Sequence, residues 1–248
     1  MKIALCFYGQ PRNVTESFDL IKENLIDTNK IEDVFIHTWW RPEFKLNPSY
    51  KVNTDSGPPV ILREEDLQFM RDKYSPRKIL IENDKEIKFH SPELITSHLK
   101  PYASLDRIFP SFYSRMKAFS LLKEYESQFN TKFDDVCIIR TDTKVKIPIK
   151  IKDLDLSKMN INSIEWNPNN DKRYVSDFII ISNRDLMEIY AETYNHLPEL
   201  AKIISQFKDD NRFFAEQISG IFLEKKNIDV KNSFQTKSEI SLIRNGWS

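Results

Sequence analysis

The chain has 248 residues, 40% of them hydrophobic and 30% charged, with Lys+Arg and Asp+Glu equal at 37 each. That length holds one large α/β domain or two small ones, the composition is that of an ordinary soluble globular protein, and zero net charge argues against a protein whose affinity comes from neutralising nucleic-acid phosphates. Gly9, Gly57, Gly220 and Gly246 lie too far apart for a dinucleotide fingerprint or a P-loop, Cys6 and Cys137 lie inside apolar runs and make no disulfide framework, and no apolar run approaches the roughly 18 residues of a membrane span.

Residues 2–8 (KIALCFY) form a short apolar run followed at once by Gly9-Gln10-Pro11-Arg12, so a first buried strand ends in a polar loop. The run is too short for a signal peptide, and a cytoplasmic location is expected. Thr15 is placed to cap the next helix, in which Phe18, Ile21, Leu25 and Ile26 recur at helical spacing. Asp33 to Thr38 reads as a second strand, running into Trp39 and Trp40. Residues 41–63, with Pro42, Pro48, Gly57, Pro58 and Pro59, read as a long loop of a length that is often functional and could close over a site.

A helix over 64–74 and a strand over 78–82 make a further α/β unit. From Pro110 a long amphipathic helix is expected, with Phe112, Met116, Phe119, Leu122 and Tyr125 or Phe129 repeating at threes and fours. It leads into a buried strand over 134–139 that ends in Arg140-Thr141-Asp142-Thr143. Then Val145, Ile147, Ile149 and Ile151 alternate with Lys144, Lys146, Lys150 and Lys152, the pattern of a half-exposed strand, and Pro148 assigns it to an edge. A strand over 175–181, a helix capped by Asn183 and running to about 205, a helix opened by Asp209-Asp210 and a last strand in NIDVKNSF complete the chain. Strands separated by helices predict one domain over 1–248, a three-layer α/β/α arrangement on a mainly parallel central sheet.

In open α/β sheets, ligands bind outside the carboxyl ends of the strands. Gln10 and Arg12 follow the first strand, His37 and Thr38 end the second, and Arg140 and Asp142 follow the strand over 134–139. Asp177 sits early in the strand over 175–181, and Glu216 lies about one turn into the late helix. A strand-end carboxylate can ligate Mn2+ or Mg2+, which bridge to phosphates. The neighbouring arginine offers a permanently charged planar fork.

Each of these has a plainer reading. Arg140 and Asp142 also read as a pair closing a turn, and His37 as a hydrogen-bonded structural histidine. Trp39 and Trp40 suit stacking on a ring or packing beneath the loop, and Lys117 can snorkel to solvent. Glu216 could pair with Arg212 on the helix surface. His90 and His98 have no partner at ligand spacing, so no zinc site is assigned.

The ordered segments FYGQPR, DVFIHTWW, FYSRMKAFSLLKEYE, DDVCIIRTDTKV, SDFIIIS and AEQISGIFLEKKNIDV resemble GT-A-fold glycosyltransferases. They are most similar to the lipopolysaccharide-synthesis, WavE-like group. The resemblance implies a GT-A-like fold and a transferase of polysaccharide biosynthesis. Such an enzyme moves a sugar from a nucleoside diphosphate sugar donor to a hydroxyl of a glycan or lipid-linked glycan acceptor. It implies Asp142 as the ligand of Mn2+ or Mg2+ and Arg140 as a diphosphate or sugar contact. Gln10 and Arg12 would line the nucleotide pocket with His37, and Ser114 and Lys117 would face the donor from the long helix. Asp177 and Glu216 would face sugar and acceptor, with Glu216 the first candidate for the catalytic base.

Two departures stand out: Arg140 occupies the place where many GT-A enzymes carry a first acidic residue, and His196 is the last histidine. A diphosphate neutralised by Arg and Lys is therefore the competing chemistry. A non-catalytic nucleotide- or glycan-binding protein of the same fold is the alternative function. The single glycine in GQPR speaks against a methyltransferase cofactor loop.

Overall fold

The computed structural model describes residues 1–42, 45–46, 60–83, 100–101, 105–163, 174–207 and 212–243. Most of the expected 41–63 loop lies outside the described residues, as do His90, His98, Asp209 and Asp210. The first half of the chain runs β1 (Ile3–Tyr8), α1 (Val14–Ile21, continued by a π-helical stretch Lys22–Asp27), β2 (Asp33–Trp39), β3 (Lys45–Leu46), β4 (Val60–Ile61), α2 (Glu64–Tyr74), β5 (Lys78–Glu82), β6 (Lys100–Pro101) and α3 (Leu105–Phe129). The second half runs β7 (Asp135–Arg140), β8 (Thr143–Val145), β9 (Met159–Asn162), β10 (Ile179–Asn183), α4 (Arg184–Ala191), α5 (Leu197–Ser205), β11 (Arg212–Phe213), α6 (Ala215–Lys225), β12 (Val230–Phe234) and β13 (Ile240–Leu242).

Among the described residues, seven strands form the central sheet in the order β12-β9-β10-β7-β1-β2-β5. β10 alone opposes its neighbours; the other pairings are parallel. Side chains alternate between the two faces, as the strand period requires. Leu5, Phe7, Val34, Ile36, Cys137 and Ile139 pack with Phe18, Ile21, Met70 and Tyr74 of α1 and α2. Ala4, Cys6, Phe35, Val136 and Ile138 pack with Phe119 and Leu122 of α3 and with Met187 and Tyr190 of α4. A further cluster joins Phe109 and Phe112 of α3 to Leu200 of α5 and Phe222 of α6. With helices on both faces, β1 is buried throughout and β7 from Asp135 to Ile139, and Ile3–Tyr8 and Val136–Ile139 are apolar without alternation. The expected three layers and mainly parallel sheet are present. Among the described residues no helix is long and apolar enough to cross a membrane.

The route of the chain through this sheet creates a topological switch point. From β1 it moves outward to β2 and then β5; α3 carries it back to β7, on the other side of β1. Connections therefore diverge at the carboxyl ends of β1 and β7, the place where such sheets bind ligands.

Several boundaries differ from expectation. Asn13, not Thr15, occupies the N-cap of α1, in left-handed backbone at φ 52°, and its amide donates to the Ile243 carbonyl at 2.9 Å. α3 begins at Leu105 and carries Pro110 inside it. The alternation after Asp142 forms a strand only over Thr143–Val145, paired antiparallel with β13. Beyond it the chain is held by the α1 segment: Ile149 N–H donates to the Asn24 carbonyl at 2.8 Å, and Ile151 N–H to Asn29 Oδ1 at 2.8 Å. Ile149 and Ile151 are thus buried by a helix surface, which produces the same period as a sheet face.

Asn183 caps α4 as expected, accepting from Leu186 N–H at 2.9 Å, but a 3-10 stretch at Glu192–His196 divides the helix from α5. The helix carrying Glu216 starts at Ala215. The strand expected at 175–181 begins only at Ile179, which leaves Asp177 in the preceding loop.

Candidate functional site at the carboxyl ends of β1, β2 and β7

β1 ends at Tyr8, in register with Arg140 of β7 and His37 of β2. The three residues lie side by side on the α3 face of the sheet. Gly9 then turns the chain at φ 105°, a backbone conformation that other residues adopt only with strain. Thr141 Oγ1 donates to the Gln10 carbonyl, which also accepts from Arg12 N–H at 2.8 Å. These bonds fasten the β1 loop to the β7 loop and bring Arg12 over Asp142.

The Asp142 carboxylate is buried and held by two guanidinium groups. Arg12 approaches Oδ2 through Nε at 2.7 Å and Nη2 at 2.6 Å. Arg140 spans both oxygens, with Nε at 3.0 Å from Oδ1 and Nη2 at 3.0 Å from Oδ2. Burial alone would raise the Asp142 pKa; the two arginines outweigh it and hold the group at about 2. Arg140 Nη1 lies 3.6 Å from Asp177 Oδ1, and Asp177 Oδ2 lies 3.9 Å from Arg115 Nη2.

The reversed direction of β10 explains the second contact. Its start, not its end, lies at the carboxyl edge of β7, so Phe178 O accepts from Arg140 N–H at 3.0 Å with Asp177 alongside. Arg115 is buried on α3 and donates through Nη1 to the Tyr190 hydroxyl. Its guanidinium lies over the rings of Tyr8, Phe112 and Tyr190, 4.6 to 5.1 Å from their centroids. The Tyr8 hydroxyl donates to the Asp177 carbonyl. Alternating charges therefore run from Arg12 through Asp142, Arg140 and Asp177 to Arg115, ending at Tyr190 beside Ser219 of α6.

Glu216 is half-buried in the first turn of α6, and its carbonyl accepts from Val175 N–H at 2.9 Å, which ties the Asp177 loop to this helix. The charges of both Asp177 and Glu216 act on Tyr190. Asp142 and Glu216 thus belong to one connected region.

A second group adjoins the first through Gly9, whose N–H donates to Ser114 Oγ at 2.9 Å. Ser114 Oγ lies 2.8 Å from His37 Nδ1, and His37 Nε2 lies 2.7 Å from Glu82 Oε2. The Tyr113 hydroxyl donates to Glu82 Oε1 at 3.2 Å. Burial lowers the His37 pKa despite the carboxylate beside it, so the ring is neutral at pH 7. The Glu82 carboxyl, first through its bond from His37, is lowered in turn. A neutral ring bonded to a carboxylate at Nε2 carries its hydrogen there, which leaves Nδ1 to accept from Ser114. Lys117 lies at the edge of this group, its Nζ 5.3 Å from the centre of the Tyr113 ring.

Of the residues expected at the site, the structure joins Arg12, Arg140, Asp142 and Asp177 by ion pairs, and His37 to Ser114 by a hydrogen bond. Gln10 contributes its carbonyl to the loop junction. Trp39 is buried beside His37, and Trp40 Nε1 donates to the Leu62 carbonyl at 3.3 Å, which fits the packing reading of both. Sequence reasoning missed Arg115, Tyr8, Tyr190 and Glu82. Arg115 had a signal, a charge among the apolar residues of SFYSRMKAF, and Glu82 the same polar strand end that marked His37. A depression of about 330 Å3 lined by Lys2, Asn29, Lys30, Glu32 and Asp134 opens at the opposite edge of the sheet, away from all of these groups.

The residues present do not fit the divalent ion expected at Asp142. Both of its oxygens already accept from guanidinium groups, and an incoming ion would face two fixed positive charges at contact distance. Among the described residues no group of three or more His, Cys, Asp or Glu is placed to hold a metal.

No protein-family model matches the chain, and no curated relative matches it. Two solved structures of LgtC resemble it, one of an active-site mutant and one of the galactosyltransferase in complex with donor and acceptor sugar analogs. Each is 13% identical with a TM-score of 0.44, over 90% of this chain and 70% of LgtC. The likeness is one of architecture.

Proposed function

We propose that this chain is a glycosyltransferase that moves a sugar from a nucleoside diphosphate sugar to a hydroxyl of a glycan or lipid-linked glycan. Guanidinium groups, in place of a divalent ion, would hold the donor's diphosphate. The observation that carries this reading is the position of Arg12, Arg140 and Asp142 at the switch point where connections from β1 and β7 diverge.

Among the described residues, three guanidinium groups (Arg12, Arg115 and Arg140) are gathered there around Asp142 and Asp177, which concentrates phosphate-binding side chains in one place. Arg12 and Arg140 are its partly open members, at 26% and 17% side-chain exposure, against 1% for Arg115. Their planar forks match phosphate oxygens. As the bond between the sugar's anomeric carbon and the diphosphate breaks, negative charge grows on the departing phosphate. Cations fixed in advance stabilise that charge without reorganisation. Asp177 keeps Arg140 and Arg115 in place, and Glu216 would take the acceptor's proton.

The test is a thermal-shift screen with UDP-, GDP-, CMP- and dTDP-sugars, run once with Mn2+ and once with EDTA. One nucleotide class should stabilise the protein equally in both, by about 2.7 kcal/mol at a hundred times its dissociation constant. Stabilisation that needs Mn2+ would overturn the guanidinium role. No stabilisation by any nucleotide sugar would overturn the whole reading, and binding with no transfer to any glycan would favour a non-catalytic binding protein.

A further inference from the structure

We propose that Glu82, His37 and Ser114 form a positioning relay that holds the Gly9 amide and thereby aims the Gly9–Arg12 loop at the bound anion. Its consequence for ligand binding rests on the donor-site reading above.

The relay crosses four elements in three short links: Glu82 of β5 to His37 of β2 at 2.7 Å, His37 to Ser114 of α3 at 2.8 Å, and Ser114 to Gly9 after β1 at 2.9 Å. His37 and Ser114 are both fully buried, and in the relay each acts through its neighbour. Gly9 lies one residue past the β1 ladder, whose last registered position is Tyr8. Its N–H donates to the serine oxygen at 2.9 Å. Three residues on, Arg12 reaches Asp142.

The direction of the hydrogens is set from the Glu82 end. The Ser114 hydroxyl has one hydrogen and two acceptors within reach, His37 Nδ1 at 2.8 Å and the His37 carbonyl at 3.2 Å. With the imidazole hydrogen held at Nε2 by Glu82, Nδ1 is a lone pair and takes the serine hydrogen. Ser114 Oγ then keeps its own lone pairs for Gly9. Loss of the Glu82 charge frees the ring to carry its hydrogen at either nitrogen. In the Nδ1–H form the serine oxygen must accept from both the ring and Gly9, and the loop bond weakens. Among the described residues, the ionisable groups facing His37 are Glu82 from β5 and Tyr113 and Lys117 from α3; Glu82 attracts a proton to the ring and Lys117 repels it. Glu82 is thus a positioning residue three links away from the amide it controls.

The experiment follows amide hydrogen exchange and imidazole 15N shifts by NMR, with calorimetric titration of inorganic pyrophosphate, in the native protein, Glu82→Gln and Ser114→Ala. The native ring should show Nε2 protonated and Nδ1 not, and Glu82→Gln should populate both forms. Gly9 exchange should rise about tenfold in both variants while the amide of Leu5, inside β1, keeps its rate, and pyrophosphate affinity should fall about fivefold, the worth of one hydrogen bond. Unchanged Gly9 exchange in Glu82→Gln overturns the relay, whatever the affinity does. Faster Gly9 exchange with unchanged affinity overturns its role in aiming the loop. Native protein that binds no pyrophosphate would overturn the donor-site reading instead, with the Gly9 measurement still deciding the relay. Should Glu82→Gln fail to fold, as the Leu5 amide would report, Ser114→Ala and the native ring shifts decide alone.

Discussion

Asp142 shows how two arginines change what a carboxylate can do. Replacing it with Asn keeps its shape and leaves Arg12 and Arg140 without their shared counter-charge in a buried site. The expected loss is about 3 kcal/mol, the lower end for breaking a buried pair because Arg12 is partly open to water. Thermal unfolding in metal-free buffer checks this, since a residue reserved for a metal would lose nothing there.

The pH dependence follows from the same contacts. A carboxyl held at about 2 in the folded state contributes stability that is complete above its ordinary value near 4 and is lost as pH falls through 2. His37 acts in a higher window. Its folded pKa lies below its ordinary 6.5, so the unfolded chain takes a proton that the folded one refuses, and stability falls as pH drops below 6.5. Denaturant midpoints between pH 7 and pH 5 should fall in the native protein and fall less in His37→Gln; equal slopes would show that His37 is not the titrating group.

At the scale of elements, the turn between β1 and α1 has the most specific requirement. A Cβ on Gly9 would meet nothing closer than Thr141 Oγ1 at 4.0 Å, so the obstacle to Gly9→Ala is backbone conformation and not space. That strain should cost about 1–2 kcal/mol, read from the denaturant midpoint. If the loop adjusts to relieve it, Arg12 moves away from Asp142 and the pH window near 2 to 4 shrinks as well. β10 matters for a different reason: reversing one strand brings a loop, and Asp177 with it, to the edge of the sheet where the other strands end.

For the whole molecule, the two cysteines report on the sheet. Cys6 and Cys137 belong to neighbouring strands but face opposite layers, so no disulfide joins them without rebuilding the core. Burial raises both thiol pKa values, which suppresses the reactive thiolate. Thiol-reactive reagents should label both residues together, at the rate of global unfolding and not sooner. Faster labelling of Cys6 alone would show that the α3 layer opens separately from the α1 layer.

Local chemistry settled much of this protein before folding is considered. The apolar runs of β1, β2, β5 and β7, the extent of α2, the Asn183 cap and the polar ends of the strands are set by residues within a few positions of one another. So is the layered α/β class, because alternating strands and helices have few ways to cover both faces of a sheet. Tertiary structure decided the order of the strands, the reversal of β10 and the delayed start of that strand, which put Asp177 against Arg140. It also decided that Asp142 has two arginine partners, and that Glu82, His37, Ser114 and Gly9 meet in a line. Tyr8 is separated from Asp177 by 169 positions, Arg12 from Asp142 by 130, and Gly9 from Ser114 by 105. No local pattern encodes such pairs: a side chain's partner depends on which strands become neighbours, and burial makes that choice for the molecule as a whole.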